Sequence, residues 1–247
     1  MEADKIINGN CWIAYFDILG FKNEIRLQTG HLDVFAKIEY EEILRHIEEE
    51  KKRVRGFTPK EHDCCWFSDS FLFYALDDST NSYLTMHYVA TEFFHHLGVM
   101  KRWPVTGALT FGEFYADKDK SIYLGEALID AHKYTDEQNW IGIVLTPSAH
   151  ERLVEKSKTE GLNLFSYVNG LGFKEYDVPI KRKKCVDGRD HIESGREKLF
   201  AHQYRADDGS RSLFLDYIES MSNKKEGQET AYRQKYENTL RFYKEIG

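Results

Sequence analysis

Apolar residues are spaced unevenly along this chain, and the spacing predicts its elements. Residues 11–19 (CWIAYFDIL) form an apolar, aromatic and β-branched run with one acid, Asp17, inside it and Gly20 after it. A short run of this kind predicts a buried strand. Residues 31–55 carry apolar groups at Leu32, Phe35, Ile38, Ile43, Leu44 and Ile47 at roughly helical period, before a charged run and the punctuation of Gly56 and Pro59. In residues 64–76 (CCWFSDSFLFYAL), two apolar arms flank Ser68-Asp69-Ser70. That pattern predicts a hairpin with Asp69 at its tip. Residues 79–98 read as a helix with Gly98 as its C-cap. Residues 104–115 read as a strand in which Gly107 and Gly112 mark close backbone approach or a bulge. A turn (ADKDK) and a short strand (SIYLG) follow, then a helix over 126–138, a buried strand (WIGIVLT) and a helix over 148–159. Strands are expected around Gly170 and Gly172.

The order is strand, helix, hairpin, helix, strand, strand, helix, strand, which predicts an α+β fold with antiparallel pairing. The composition turns basic, then mixed in charge, near residue 181. This places a main domain over 1–180 and a mostly helical extension over 181–247 that packs on it. Residues 226–245 form its clearest amphipathic helix.

Among 247 residues, 41% are hydrophobic, enough for an ordinary core. Cys11, Cys64, Cys65 and Cys185 show no C-x-x-C spacing, so reduced thiols are expected. The net charge of −7 argues against a nonspecific nucleic-acid binder, although a triphosphate remains compatible once metals supply local positive charge. The N-terminus lacks the apolar stretch of a signal peptide, and runs such as IGIVL are too short to span a bilayer. A cytoplasmic protein without membrane partners is expected. Neither G-x-G-x-x-G nor a P-loop occurs.

The two acids set in apolar runs carry the chemistry. A carboxylate inside an apolar strand is costly unless compensated. If the first strand and the hairpin are sheet neighbours, Asp17 and Asp69 meet and repel unless they share a proton or bind metal. Two divalent ions about 3.5–4 Å apart suit phosphoryl transfer, and Mg²⁺ or Mn²⁺ suits carboxylate ligands. The turn after Asp17 offers backbone N–H groups to an anion. His95 and His96 are adjacent on a helix and do not share a face. The basic run at 181–184 reads as a solvated turn, and Lys101 and Arg102 as a surface loop.

The segments YFDILGFK, FSDSFLFY, VTGALTFGEFY and YLGEALIDA occur in the order found in class III nucleotide cyclases. Together they resemble most closely the single-domain pyrimidine cyclases of bacterial Pycsar antiphage defence, over roughly residues 11–150. The resemblance implies a βααββαβ palm-like fold, a homodimer with sites at its interface, and two divalent ions per site. It assigns Asp17, Asp69 and the Ile18 carbonyl to metal, and Leu19, Gly20, Phe21 and Lys22 to phosphate. The implied reaction converts UTP or CTP to a 3′,5′-cyclic monophosphate and pyrophosphate, and the product acts on a separate receptor effector.

Departures from the family pattern narrow this. The Asn and Arg of classical cyclases fall on Ile129 and Lys133. Ile129 cannot bond a ribose, and Lys133 meets phosphate only as a point charge; Asp130 and His132 stand beside them. The purine-reading positions fall on Cys65 and Ile122, neither of which matches a purine edge, and Tyr123 is placed to stack on a base. A pyrimidine follows, uracil before cytosine on family grounds. The alternatives are a purine cyclase and an inactive cyclase-like domain that binds a nucleotide or partner.

Overall fold

The computed structural model describes residues 6–27, 30, 41–55, 57–161, 172–186, 189–203, 209–223 and 232–246. Their element order is β1 (Ile6–Ile18), α1 (Phe21–Leu27), α2 (Glu42–Lys51), β2 (His62–Phe67), β3 (Ser70–Ala75), α3 (Thr80–Phe94), β4 (Val105–Asp117), β5 (Ile122–Leu124), α4 (Glu126–Glu137), β6 (Gly142–Leu145), α5 (Pro147–Glu160), β7 (Phe173–Val186), β8 (Arg189–His202), α6 (Ser210–Ser222) and α7 (Arg233–Ile246). From β1 to β4 this is the expected βααββαβ order. The class is α+β: one mixed sheet, ordered β2-β3-β1-β4-β6-β8-β7, with β5 added to β4. Only β4 and β6 pair in parallel; every other neighbouring pair is antiparallel.

Strand β1 lies between β3 and β4, so its backbone is paired on both sides. Its side chains alternate between two apolar layers. Trp12, Ala14, Phe16 and Ile18 enter the main core with α3, whereas Cys11 and Ile13 join Leu72, Tyr74, Phe114 and Ala127 on the other face. Asp17 continues the second series. Local chemistry sets the helix starts: Ser79 accepts the Ser82 N–H to cap α3, and Thr146 accepts the Ala149 N–H to cap α5, just before Pro147.

Three expectations change. Gly98 does not end the helix: α3 runs into a π-helical stretch, His95–Met100, and the cap falls at Lys101. The basic run 181–184 is not a turn but strand, inside β7. The boundary at residue 180 therefore cuts a strand, and the extension is less helical than expected, because its first part belongs to the β7–β8 hairpin. β8 pairs with β6, which makes that hairpin part of the main sheet. Alternating charges such as Lys184 with Glu193 and Lys198 with Glu175 mask the strand period, since both faces of much of the hairpin are wet. Residues 31–40 and 162–171, where a helical stretch and the start of a strand region were expected, lie outside the described residues.

Candidate active site

The register of β1 and β3 brings the two acids together. Asp17 pairs with Ser70 on one side and Thr106 on the other. The Ile18 N–H donates to the Asp69 carbonyl at 2.9 Å, and the Leu19 N–H to the Pro104 carbonyl at 2.8 Å. Asp69 sits in the two-residue loop between Phe67 and Ser70, where Ser68 takes φ +57°, the left-handed value that primed hairpin turns demand. Chain reversal thus sets Asp69 beside the end of β1.

Both acids line one cleft of about 330 Å³, together with residues 18–22, Thr135, Asp136, Lys181, Lys183, Ile192, Tyr232 and Lys235. Gly20, at φ +79°, turns the chain from β1 into α1 within this wall. The Ile18 side chain is buried in the core, which leaves its main-chain carbonyl as the group it can offer a ligand.

The electrostatics are those of a strained carboxylate pair. Burial first, then the Asp69 charge, push the Asp17 carboxyl up from 3.8 to about 6, against the opposing pull of Lys235 and of a hydrogen bond from Ser70. Lys235 is 9% exposed. Its ammonium is pushed down from 10.5 to about 8, by burial and then by Lys181, while Asp17 and Asp136 favour its charged form. A divalent cation resolves the repulsion between Asp17 and Asp69. Two carboxylates and a carbonyl match the oxygen-only set of Mg²⁺ or Mn²⁺, which keep waters and take further ligands from substrate phosphates. Among the described residues, no group of three or more His, Cys, Asp or Glu side chains is placed to hold a metal by itself.

The other residues singled out from the sequence fall elsewhere. Cys65, Tyr123, Ile129, His132 and Lys133 line a separate, largely apolar pocket of about 730 Å³, with Tyr15, Phe67, Ser70 and Leu72. Lys133 therefore lines a different pocket from Asp17. Ile122 is not in the wall of either pocket, because β5 alternates and turns Tyr123 inward instead. Ser70 joins the two regions: it lines the apolar pocket beside Tyr15 and is the strand partner of Asp17. Asp130 accepts a hydrogen bond from Ser148, and Lys101 ion-pairs with Glu42, away from the cleft. His96 packs against His46 with the two rings tilted, their centres 4.8 Å apart.

The residues that sequence reasoning missed are Ser70, Thr135, Asp136, Lys181, Lys183, Tyr232 and Lys235. Lys181 and Lys183 are two apart, and strand period places both on the cleft side. That signal was present in the basic run but needed the strand to be seen. Lys235 carried no local signal, because a lysine in a charged amphipathic helix reads as solvated.

No known protein-family profile matches the chain, and no curated protein matches it. Several solved structures share part of its chain path, two of which follow. One is the catalytic core of a rhodopsin-guanylyl cyclase with converted specificity, in complex with ATPαS: TM-score 0.46, 13% identity, over 82% of this chain and 99% of that one. The other is the adenylate/guanylate cyclase/hydrolase from Silicibacter pomeroyi: TM-score 0.43, 10% identity, over 81% of this chain and 99% of that one. No helix among the described residues is long and apolar enough to cross a membrane.

Proposed function

We propose that this chain is a metal-dependent nucleotide cyclase that converts a pyrimidine nucleoside triphosphate, UTP before CTP, to its 3′,5′-cyclic monophosphate and pyrophosphate. The observation that carries the reading is the joining of Asp17 and Asp69 in a cleft whose remaining wall holds four lysines, Lys22, Lys181, Lys183 and Lys235. Carboxylates for hard cations beside ammonium groups for phosphate are the donor set of phosphoryl transfer. In the reaction, the ribose 3′-oxygen bonds to the α-phosphorus and its proton passes to water. The bond from the α-phosphorus to the bridging oxygen breaks, and its electron pair leaves with pyrophosphate. Bound divalent ions would neutralise charge on the attacking and leaving oxygens. The chain's own part is to hold the ions on Asp17, Asp69 and the Ile18 carbonyl, and to fix the phosphates against residues 19–22 and the lysines.

The apolar pocket suits the base. Cys65 and Tyr123 lie beside each other within it, with Tyr123 also against Tyr74, a smaller polar edge than a purine-reading pair would present. Large apolar side chains stay exposed around this region, among them Phe67 and Ile129 at 62% each, with Trp66, Ile122 and Leu124. Contiguous exposed apolar surface of this sort marks an interface. A homodimer that covers it would bring the Lys133 pocket of one subunit to the Asp17 cleft of the other. The product, on the family resemblance, is a second messenger of antiphage defence read by a separate receptor.

Purified protein given each nucleoside triphosphate with Mn²⁺ or Mg²⁺ should release pyrophosphate and one cyclic pyrimidine nucleotide, identified by mass. A cyclic purine product would replace the base assignment. Ile129 at the ribose-bonding position favours a second reading, an inactive domain that binds a nucleotide. Metal-dependent nucleotide binding with no product from any triphosphate would establish it.

A further inference from the structure

The cleft contains a cation that the family pattern does not account for. Lys235 is buried, yet among the described residues no carboxylate oxygen lies within ion-pair distance (4.0 Å) of its ammonium. The stem of Lys235 is packed away while its ammonium opens into the cleft, and an apolar side chain of similar size would fill the same space without bringing a charge there. Its position is also rigidly set. One turn further along α7, Thr239 accepts the Ile141 N–H at 2.8 Å, while Asn238 donates to the Asn139 carbonyl at 2.7 Å. Phe242 packs on Trp140 and Tyr176, with ring centres 4.6 and 4.8 Å away. Tyr232, three residues before Lys235, lies with its ring 3.8 Å from where a side chain on Gly20 would begin. The helix therefore clamps the loop before β6 and presents Tyr232 and Lys235 to the turn after Asp17.

We propose that Lys235 is a substrate-contacting residue, an ammonium that the C-terminal helix carries into the Asp17–Asp69 cleft to bind the terminal phosphates of the triphosphate. This rests on reading the cleft as a triphosphate site. The charges fit: Asp17, Asp69 and Asp136 oppose Lys22, Lys181, Lys183 and Lys235, so the wall carries one excess positive charge before any metal binds, in a chain of net charge −7. An ammonium cannot ligate a metal, so its use in this wall is toward an anion. Divalent ions that take up the charge of Asp17 release Lys235 from its pull, and the phosphates arrive with those ions. Lys235 thus stands in the same subunit as the metal-binding acids, whereas Lys133 lines the other pocket.

The test uses the full chain and tripolyphosphate, which has the phosphates but neither ribose nor base. Calorimetric titration with Mg²⁺ present is compared for wild type, Lys235→Met and Lys235→Arg. Lys235→Met should weaken binding about tenfold or more, the scale of one charge-assisted hydrogen bond, and Lys235→Arg should keep most of it. The melting temperature of Lys235→Met without ligand should equal or exceed that of wild type. A structural role would lower the melting temperature and leave tripolyphosphate affinity unchanged; that result overturns the proposal, as does failure of wild type to bind tripolyphosphate. Binding that depends on Lys235 without turnover of any nucleotide upholds the proposal and sinks the cyclase reading alone. If the methionine variant does not fold, reductive methylation of wild type followed by mass spectrometry decides. Tripolyphosphate should slow modification of Lys235 about fivefold or more, and no slowing overturns the proposal.

Discussion

The candidate site has two walls of different origin. The acidic wall, Asp17 and Asp69, comes from β1 and the β2–β3 hairpin; most of the basic wall, Lys181, Lys183 and Lys235, comes from β7 and α7. Acids enter this cleft from apolar strands, where a single charge stands out and strains the fold. Lysines enter from hydrophilic segments, where a charge looks ordinary. The acidic wall stores repulsion that a proton or a bound cation relieves, and the basic wall is held by core packing of α7. The difference shows that a site's electrostatic complement can lie far along the chain from its acids.

The largest expected effect breaks the acidic wall. Asp17→Asn and Asp69→Asn should each lower pyrophosphate release by about 10³-fold, as for loss of a central electrostatic contact. Asp17→Asn should at the same time raise the metal-free melting temperature, by roughly 2–4 °C per kcal/mol of repulsion removed. An unchanged rate in either variant would remove the acids from the chemistry.

A mixing experiment comes next. Asp17→Asn and Lys133→Gln, each impaired alone, should regain about a quarter of wild-type turnover when combined, because half of randomly mixed dimers carry one intact site. No recovery, with dimers confirmed by light scattering, would mean that Lys133 does not act across an interface.

The basic wall should prove part of the core. Phe242→Ala should destabilise the chain by about 3–5 kcal/mol in denaturant titration, the usual cost of truncating a buried aromatic. A loss near zero would mean that α7 docks only loosely, and the rigid placement of Lys235 would fall with it.

Acidity separates the walls more gently. The Asp17 carboxyl stands at about 6 in the folded chain against an ordinary 3.8. Its contribution to stability is therefore fully present below about pH 4 and is lost as pH rises through 6. Divalent ions bind the ionised form, so the rise in melting temperature that Mn²⁺ produces should be full at pH 7.5 and should shrink as pH falls through 6. A Mn²⁺ effect independent of pH over that range would place the ion away from Asp17. The smallest effect is expected at Lys183, whose side chain is 67% exposed and pairs with Asp136 at 3.6 Å. Lys183→Gln should raise KM by about two- to threefold at low salt and less at high salt.

How much of this was legible beforehand follows from the same physics. Strands β1, β3 and β4 and the hairpin loop could be read because each buries apolar side chains at a short, distinctive spacing. Asp17 and Asp69 could be read as a pair because their neighbours made each of them costly. The first half of β7 was expected as strand, but from residue 181 the β7–β8 hairpin was read as a turn and the start of an extension, because its alternating charges carry no apolar period. Of the base-reading candidates, the structure sets Cys65 and Tyr123 in a pocket next to the cleft of the acids and leaves Ile122 out of both walls.

By itself, the sequence determined the α+β class, the strands β1, β3 and β4 and the costly placing of the two acids, since all of these depend on local pattern and on the cost of burying charge. Only the tertiary structure decided which cations face those acids. Lys181, Lys183 and Lys235 line the Asp17 cleft because β8 pairs with β6 and α7 clamps residues 139–141, contacts between segments far apart in the chain. No local pattern encodes that meeting, because a lysine's surroundings are set by what packs across from it rather than by its neighbours in sequence.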